Sequence, residues 1–96
     1  MNSKQKEVML IAQEECAEVI QAISKVFRFG VTDKYNGQTN KERLEEETGD
    51  LLCMIDLMIE EGMIDIDRVL QAKDQKNTKL RTWSDVFKEE KVLQNA

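Results

Sequence analysis

Glu14-Glu15-Cys16-Ala17-Glu18 sets three acids inside a strongly helical stretch, between Val8-Met9-Leu10-Ile11-Ala12 and the apolar positions Val19, Ile20, Ala22 and Ile23. A helix turns once per ~3.6 residues, so Ile11, Glu15, Glu18 and Ala22 share a face. The stripe Val8, Ala12, Glu15, Val19, Ala22, Val26 also runs through Glu15. Two carboxylates therefore stand where the periodicity asks for core. An unpaired buried carboxylate is costly, so something cationic must meet them.

Outward from this stretch, residues 4–28 read as one helix, with Asn2 or Ser3 as its cap and Gly30 ending it. Lys25 and Arg28 near its end suit the helix dipole. A second apolar stripe runs through Met9, Cys16, Ile20, Ile23 and Phe27, so this helix has more than one neighbour to satisfy. Residues 30–40 are rich in turn formers and read as a long loop carrying Phe29 and Tyr35 in or beside it. Those aromatics either plug the bundle end or stack on a base.

Thr39-x-x-Glu42 is a capping-box pattern that opens a second helix, and Gly62 stops it after about Glu61. Its central run from Leu51 to Ile59 is broken only by Asp56. A helix apolar nearly all round must be enclosed by other helices, and one 96-residue chain supplies few. The expected architecture is all-α, with two long helices, one or two shorter ones and a four-helix-bundle core completed by homo-oligomerisation. Asp65 or Asp67 caps a third helix over about 66–80, with Ile66, Val69, Leu70 and Leu80 inward. Ser84 caps a short fourth over 85–91, and Trp83 either anchors that helix in the core or closes a ligand pocket. One domain covers 1–96, with its core at about 5–82 and a short helix and tail at 83–96.

Proline is absent, aromatics make up 5% and Leu, Ile, Met, Glu, Lys and Gln abound, as in helical proteins. The net charge of −5 argues against a nucleic-acid binder. Residues 42–61 hold eight acids against the lone Arg43, whereas residues 73–81 hold Lys73, Lys76, Lys79 and Arg81 against Asp74. An acidic centre beside a basic strip suits a metal complex of an anionic ligand. Cys16 and Cys53 fall in apolar helical runs, with no Cys-x-x-Cys pair and no histidine, so they read as reduced packing residues of a cytoplasmic protein. The missing histidine removes most zinc sites and the Glu-x-x-His di-iron bundle. No membrane span and no signal peptide are expected.

The second acid pair is Glu47-Thr48-Gly49-Asp50, two carboxylates three residues apart in line with Met54 and Leu57. Antiparallel packing would bring Glu15, Glu18, Glu47 and Asp50 together. Clustered carboxylates raise one another's pKa values, and a divalent cation reverses that repulsion. Ligation by oxygen alone points to Mg²⁺, or Mn²⁺ in its place. Gly49 in a helix interior costs about 1 kcal/mol against alanine, which a close approach by a neighbour or ligand would explain.

Glu14-Glu15-x-x-Glu18 followed by Glu47-x-x-Asp50 resembles the signature of the MazG-like all-α nucleoside-triphosphate pyrophosphohydrolases. Lys73-Asp74-Gln75-Lys76-Asn77-Thr78-Lys79-Leu80-Arg81 resembles their basic helix three, and the likeness covers about residues 5–82. Members often have a proline just after this segment, and this chain has none. The resemblance implies a homodimer or dimer of dimers. It implies Mg²⁺-dependent cleavage of a nucleoside triphosphate between the α and β phosphates, giving monophosphate and pyrophosphate, in nucleotide-pool housecleaning. Glu15, Glu18, Glu47 and Asp50 would be the metal ligands. Glu14 or Glu15 would be the catalytic base, and Lys73, Lys76, Asn77 and Arg81 the phosphate contacts. By periodicity alone Glu14 faces solvent with Gln21 and Lys25. The alternatives are a non-catalytic helical oligomeric interaction module and a nucleotide or metal sensor without turnover.

Overall fold

A computed structural model describes residues 1–88 of the chain. Helix α1 spans Ser3–Phe29, α2 spans Asn40–Glu60 and α3 spans Ile66–Trp83. Two-residue strands β1 (Lys34–Tyr35) and β2 (Gln38–Thr39) lie between the first two helices. The fold is all-α. It divides into two compact units, Met1–Met63 and Ile64–Ala96.

In the first unit, both long helices start where their capping chemistry says. The Gln5 backbone N–H donates to Asn2 Oδ1 at 2.8 Å, and the Asn2 N–H donates to Gln5 Oε1 at 2.9 Å. Gly30 ends α1 at φ 88°, in the region that favours glycine, with its N–H on Val26 O at 2.8 Å. For α2, the Glu42 N–H donates to Thr39 Oγ1 at 3.0 Å and the Thr39 N–H to Glu42 Oε1 at 3.2 Å. Bonds from the Thr39 hydroxyl first, then from its backbone, hold the Glu42 carboxyl below its ordinary pKa. A cap such as Thr39 contributes about 1 kcal/mol.

α1 and α2 pack antiparallel, tied at both ends. At one end Gln5 Nε2 donates to Glu61 O at 3.0 Å, beside a Lys4–Glu61 ion pair of 3.0 Å. At the other, Asn40 Nδ2 donates to Gly30 O at 2.9 Å, and the backbone N–H groups of Asn40 and Lys41 donate to Asp33 O and Val31 O, both at 3.0 Å. Between the ties Val8, Ala12 and Met54 form the buried core, with Ile11, Leu57, Met58 and Met63 against it. The stripe through Glu15 is the inward one: Val8, Ala12 and Ala22 are buried, and Val19 and Val26 half-buried. No described side chain is fully enclosed. The second stripe of α1, Met9, Cys16, Ile20, Ile23 and Phe27, is exposed throughout.

Two expectations in this unit are corrected and a third, on Gly49, is narrowed. The segment 30–40 is not wholly loop, because Lys34 pairs with Thr39 and Tyr35 with Gln38. Asn36 (φ 53°) and Gly37 (φ 78°) form the turn; two consecutive positive φ values suit a tight hairpin, and Asn-Gly supplies them. Cys16 and Cys53 are free but exposed rather than packed inside the chain. A Cβ built on Gly49 would meet nothing within 4 Å, so no close neighbour in the chain explains that glycine.

In the second unit Asp65 caps α3, its Oδ1 accepting from the N–H groups of Asp67 at 2.9 Å and Arg68 at 3.2 Å. The helix runs three residues past the expected end at Leu80 and closes with the Ser84 N–H on Leu80 O at 3.1 Å. Val69 and Leu80 are half-buried, whereas Ile66 and Leu70 are exposed. Trp83 is 84% exposed, so among the described residues it does not serve as the buried anchor expected of it. Phe87 is the aromatic engaged at this helix end, its ring 4.3 Å from the Arg81 guanidinium carbon. Val86 and Phe87 form a turn, Lys88 is helical with its N–H on Asp85 O at 3.1 Å, and positions 89–91 of the expected fourth helix lie outside the described residues.

Candidate functional site

The two end ties fix how far α1 and α2 slide along each other, and hence which acids meet. Glu15 comes from the middle of α1, and Glu47 and Asp50 from successive turns of α2. One carboxylate oxygen from each lies within 4.8 Å of the others. Glu47 is buried, Glu15 half-buried and Asp50 exposed, so the cluster opens on one side to solvent. Glu18, half-buried one turn beyond Glu15, lies outside this group of three. Glu14 is exposed on the polar flank of α1, as its periodicity predicts.

The electrostatics are unfavourable without a cation. The Glu15 pKa is raised, first by desolvation, then by repulsion from Asp50, Glu47, Glu18 and Glu14. Arg43, one helical turn before Glu47, brings a counter-charge, its Nε standing 4.0 Å from Glu47 Oε1. That distance is the outer limit of an ion pair. Arg43 is a participant the spacing of acids does not announce; its only signal is its position four residues before Glu47. A donor set of carboxylate oxygens from two helices, open on one side, fits a hard divalent ion with room for further oxygen ligands.

The basic residues stand on α3 in the second unit. Lys73, Lys76 and Asn77 are exposed, and Lys73 and Asn77, four apart, share a face. Arg81 Nε donates to Asn77 Oδ1 at 3.2 Å, so two of the expected phosphate contacts already touch each other. Arg81 is half-buried whereas Lys73, Lys76 and Asn77 are exposed, in keeping with its position over Phe87.

No described helix is long and apolar enough to cross a membrane. Among known families, the model of the MazG nucleotide pyrophosphohydrolase domain matches residues 3–82. No curated protein and no solved structure matches the chain.

Proposed function

The chain belongs to the MazG nucleotide pyrophosphohydrolase family, and from that premise we propose that it is a Mg²⁺-dependent enzyme cleaving nucleoside triphosphates to monophosphate and pyrophosphate. The observation that carries this reading is the convergence of Glu15, Glu47 and Asp50 within 4.8 Å, with the Glu15 pKa raised by its surroundings. These three and Glu18 would hold the ion; Glu18 completes the set if its side chain turns toward Glu15. When bound, Mg²⁺, or Mn²⁺ in its place, supplies charge neutralisation at the phosphates and acidifies water.

The chain's own residues do the rest. Glu14 or Glu15 takes a proton from the attacking water. The water oxygen bonds to one of the two phosphorus atoms flanking the α–β bridge, and the bond from that phosphorus to the bridging oxygen breaks. Lys73, Lys76, Asn77 and Arg81 hold the negative charge of the β and γ phosphates. Arg81 presents a planar donor fork and the lysines point charges. The whole chain, 1–96, acts as one domain in this reading. The triphosphate pool and the two free thiols suit a cytoplasmic housecleaning role.

Purified protein, Mg²⁺ and a panel of ribo- and deoxyribonucleoside triphosphates provide the test. Pyrophosphate and monophosphate are the expected products, and Lys73→Ala should raise KM more than it lowers kcat. Orthophosphate as product, or intact substrate throughout, would overturn the assignment. Intact substrate that nevertheless binds would indicate a sensor.

The enzyme is further proposed to be a homodimer or a dimer of dimers. The exposed stripe Met9, Ile20, Ile23, Phe27 and the exposed Leu52 leave apolar surface on both long helices that a four-helix bundle would bury. Light scattering across a concentration series should return a multiple of the 11.1 kDa chain mass, and a monomer at all concentrations would refute it.

A further inference from the structure

A cavity of about 300 Å³ opens where α1 passes into the hairpin, lined by Lys25, Phe29, Asp33, Lys34, Tyr35 and Asn40. Its volume is at the lower end for small-molecule sites, about 300–1,000 Å³. It lies in the same unit as the acidic cluster. Asn40 is seven residues before Glu47 on α2, about 10 Å at a rise of about 1.5 Å per residue. Lys25 is ten residues beyond Glu15 on α1, about 15 Å by the same measure. A nucleotide's α phosphate, sugar and base laid end to end would cover such a span, with the phosphates at the acids and the base in the cavity.

The lining has the chemistry a base needs. Phe29 and Tyr35 are 52% and 71% exposed, and the Arg28 guanidinium carbon stands 5.0 Å from the Phe29 ring centre. Asn40 is 94% buried. Its Nδ2 is committed to Gly30 O, which fixes the amide with its oxygen on the other side. Asn40 Oδ1 and the Asp33 carboxylate take no hydrogen bond from any described residue, yet Asp33 is held beside Asn40 by the bond from the Asn40 N–H to Asp33 O. The Asn40 amide oxygen, held by its partner bond, and the exposed Asp33 carboxylate are thus acceptors, whereas Lys25 and Lys34 are long, adaptable donors. Acceptors match an exocyclic amino group, which adenine and cytosine present on the edge where uracil and thymine present a carbonyl oxygen, and which guanine carries at C2.

We propose that this cavity receives the base of the triphosphate substrate and favours bases that carry an exocyclic amino group. The proposal rests on the reading of the acidic cluster as the triphosphate site. Base stacking on an aromatic side chain contributes about 1–3 kcal/mol, so Tyr35→Ala should raise KM about tenfold with kcat little changed, and Tyr35→Trp should restore it. Asp33→Asn replaces an acceptor with an amide that also donates, and should move the substrate order toward UTP and TTP. Titration of labelled, metal-free protein with cytidine should shift the NMR signals of Gly30, Tyr35 and the Asn40 side-chain amide, and uridine should shift them less.

The outcomes separate the two readings. Pyrophosphate release with an unchanged KM and base order in Tyr35→Ala would overturn the base cavity and leave the hydrolase standing. Absent hydrolysis with cytidine shifts at Gly30, Tyr35 and Asn40 would do the reverse. Equal response to uridine and cytidine would overturn the amino-group preference, and shifts confined to other residues would overturn the cavity assignment.

Discussion

Glu47→Gln is expected to lower Mg²⁺-dependent pyrophosphate release by roughly 10²–10³-fold while helix content is unchanged, the scale of losing one charge-stabilising contact at a reacting centre. Glu47 is the buried member of the acidic cluster, within 4.8 Å of Glu15 and Asp50 through its carboxylate. Glutamine keeps the shape and fills the same space but brings no charge to a hard cation. It also removes one source of repulsion acting on Glu15, so the metal-free variant should be no less stable than the parent. Loss of activity with retained fold then separates ligation from packing. Glu14→Gln is the companion measurement: Glu14 is exposed and outside the cluster, so a comparable loss there would point to proton transfer. Full activity in Glu47→Gln would remove the metal site from its proposed place.

The second large effect is on stability. Mg²⁺ at 100 times its dissociation constant should stabilise the fold by about 2.7 kcal/mol. Each kcal/mol moves the melting temperature of a domain this size by about 4–8 °C. Without metal the sign of the pH dependence follows from Glu15. Its folded pKa is raised above the ordinary 4.5, chiefly by desolvation and then by the neighbouring acids, so the fold binds its proton more tightly than the unfolded chain does. That contribution is fully present below the unfolded pKa and is lost as pH climbs through the raised folded value. Metal-free protein should therefore lose stability across this window, and Mg²⁺ should restore it at neutral pH. Glu15→Gln should flatten the difference and shrink the Mg²⁺ shift. Melting curves of both proteins in chelator and in Mg²⁺ check this, and a parent protein indifferent to Mg²⁺ would rule the cluster out as its binding site.

How much of this was legible in the chain differs from place to place. Asn2, Thr39, Asp65, Gly30 and Gly62 marked helix ends through local bonding alone, and the helices start and stop at or near them. The stripe from Val8 to Val26 predicted the inward face of α1, because one helical period governs both the sequence and the burial. The Asn36-Gly37 turn carried its signal openly but was outweighed by the surrounding turn formers, which also read as plain loop. Cys16, Cys53 and Trp83 were read inward from their apolar surroundings. All three are exposed in the chain, because hydrophobicity shows that a side chain favours burial without showing which partner provides it.

The amino-acid sequence by itself determined the all-α class, the limits of the two long helices and the placing of acids on apolar stripes. These follow from capping bonds and a 3.6-residue period, both of which act over a few residues. Only the tertiary structure decided that Glu15 meets Glu47 and Asp50 with Glu18 one turn away, and that Asn40 closes a cavity at the hairpin. Those outcomes depend on how far α1 and α2 slide along each other. That register is set by bonds between residues distant in the chain, Gln5 with Glu61 and Asn40 with Gly30, which no local period encodes.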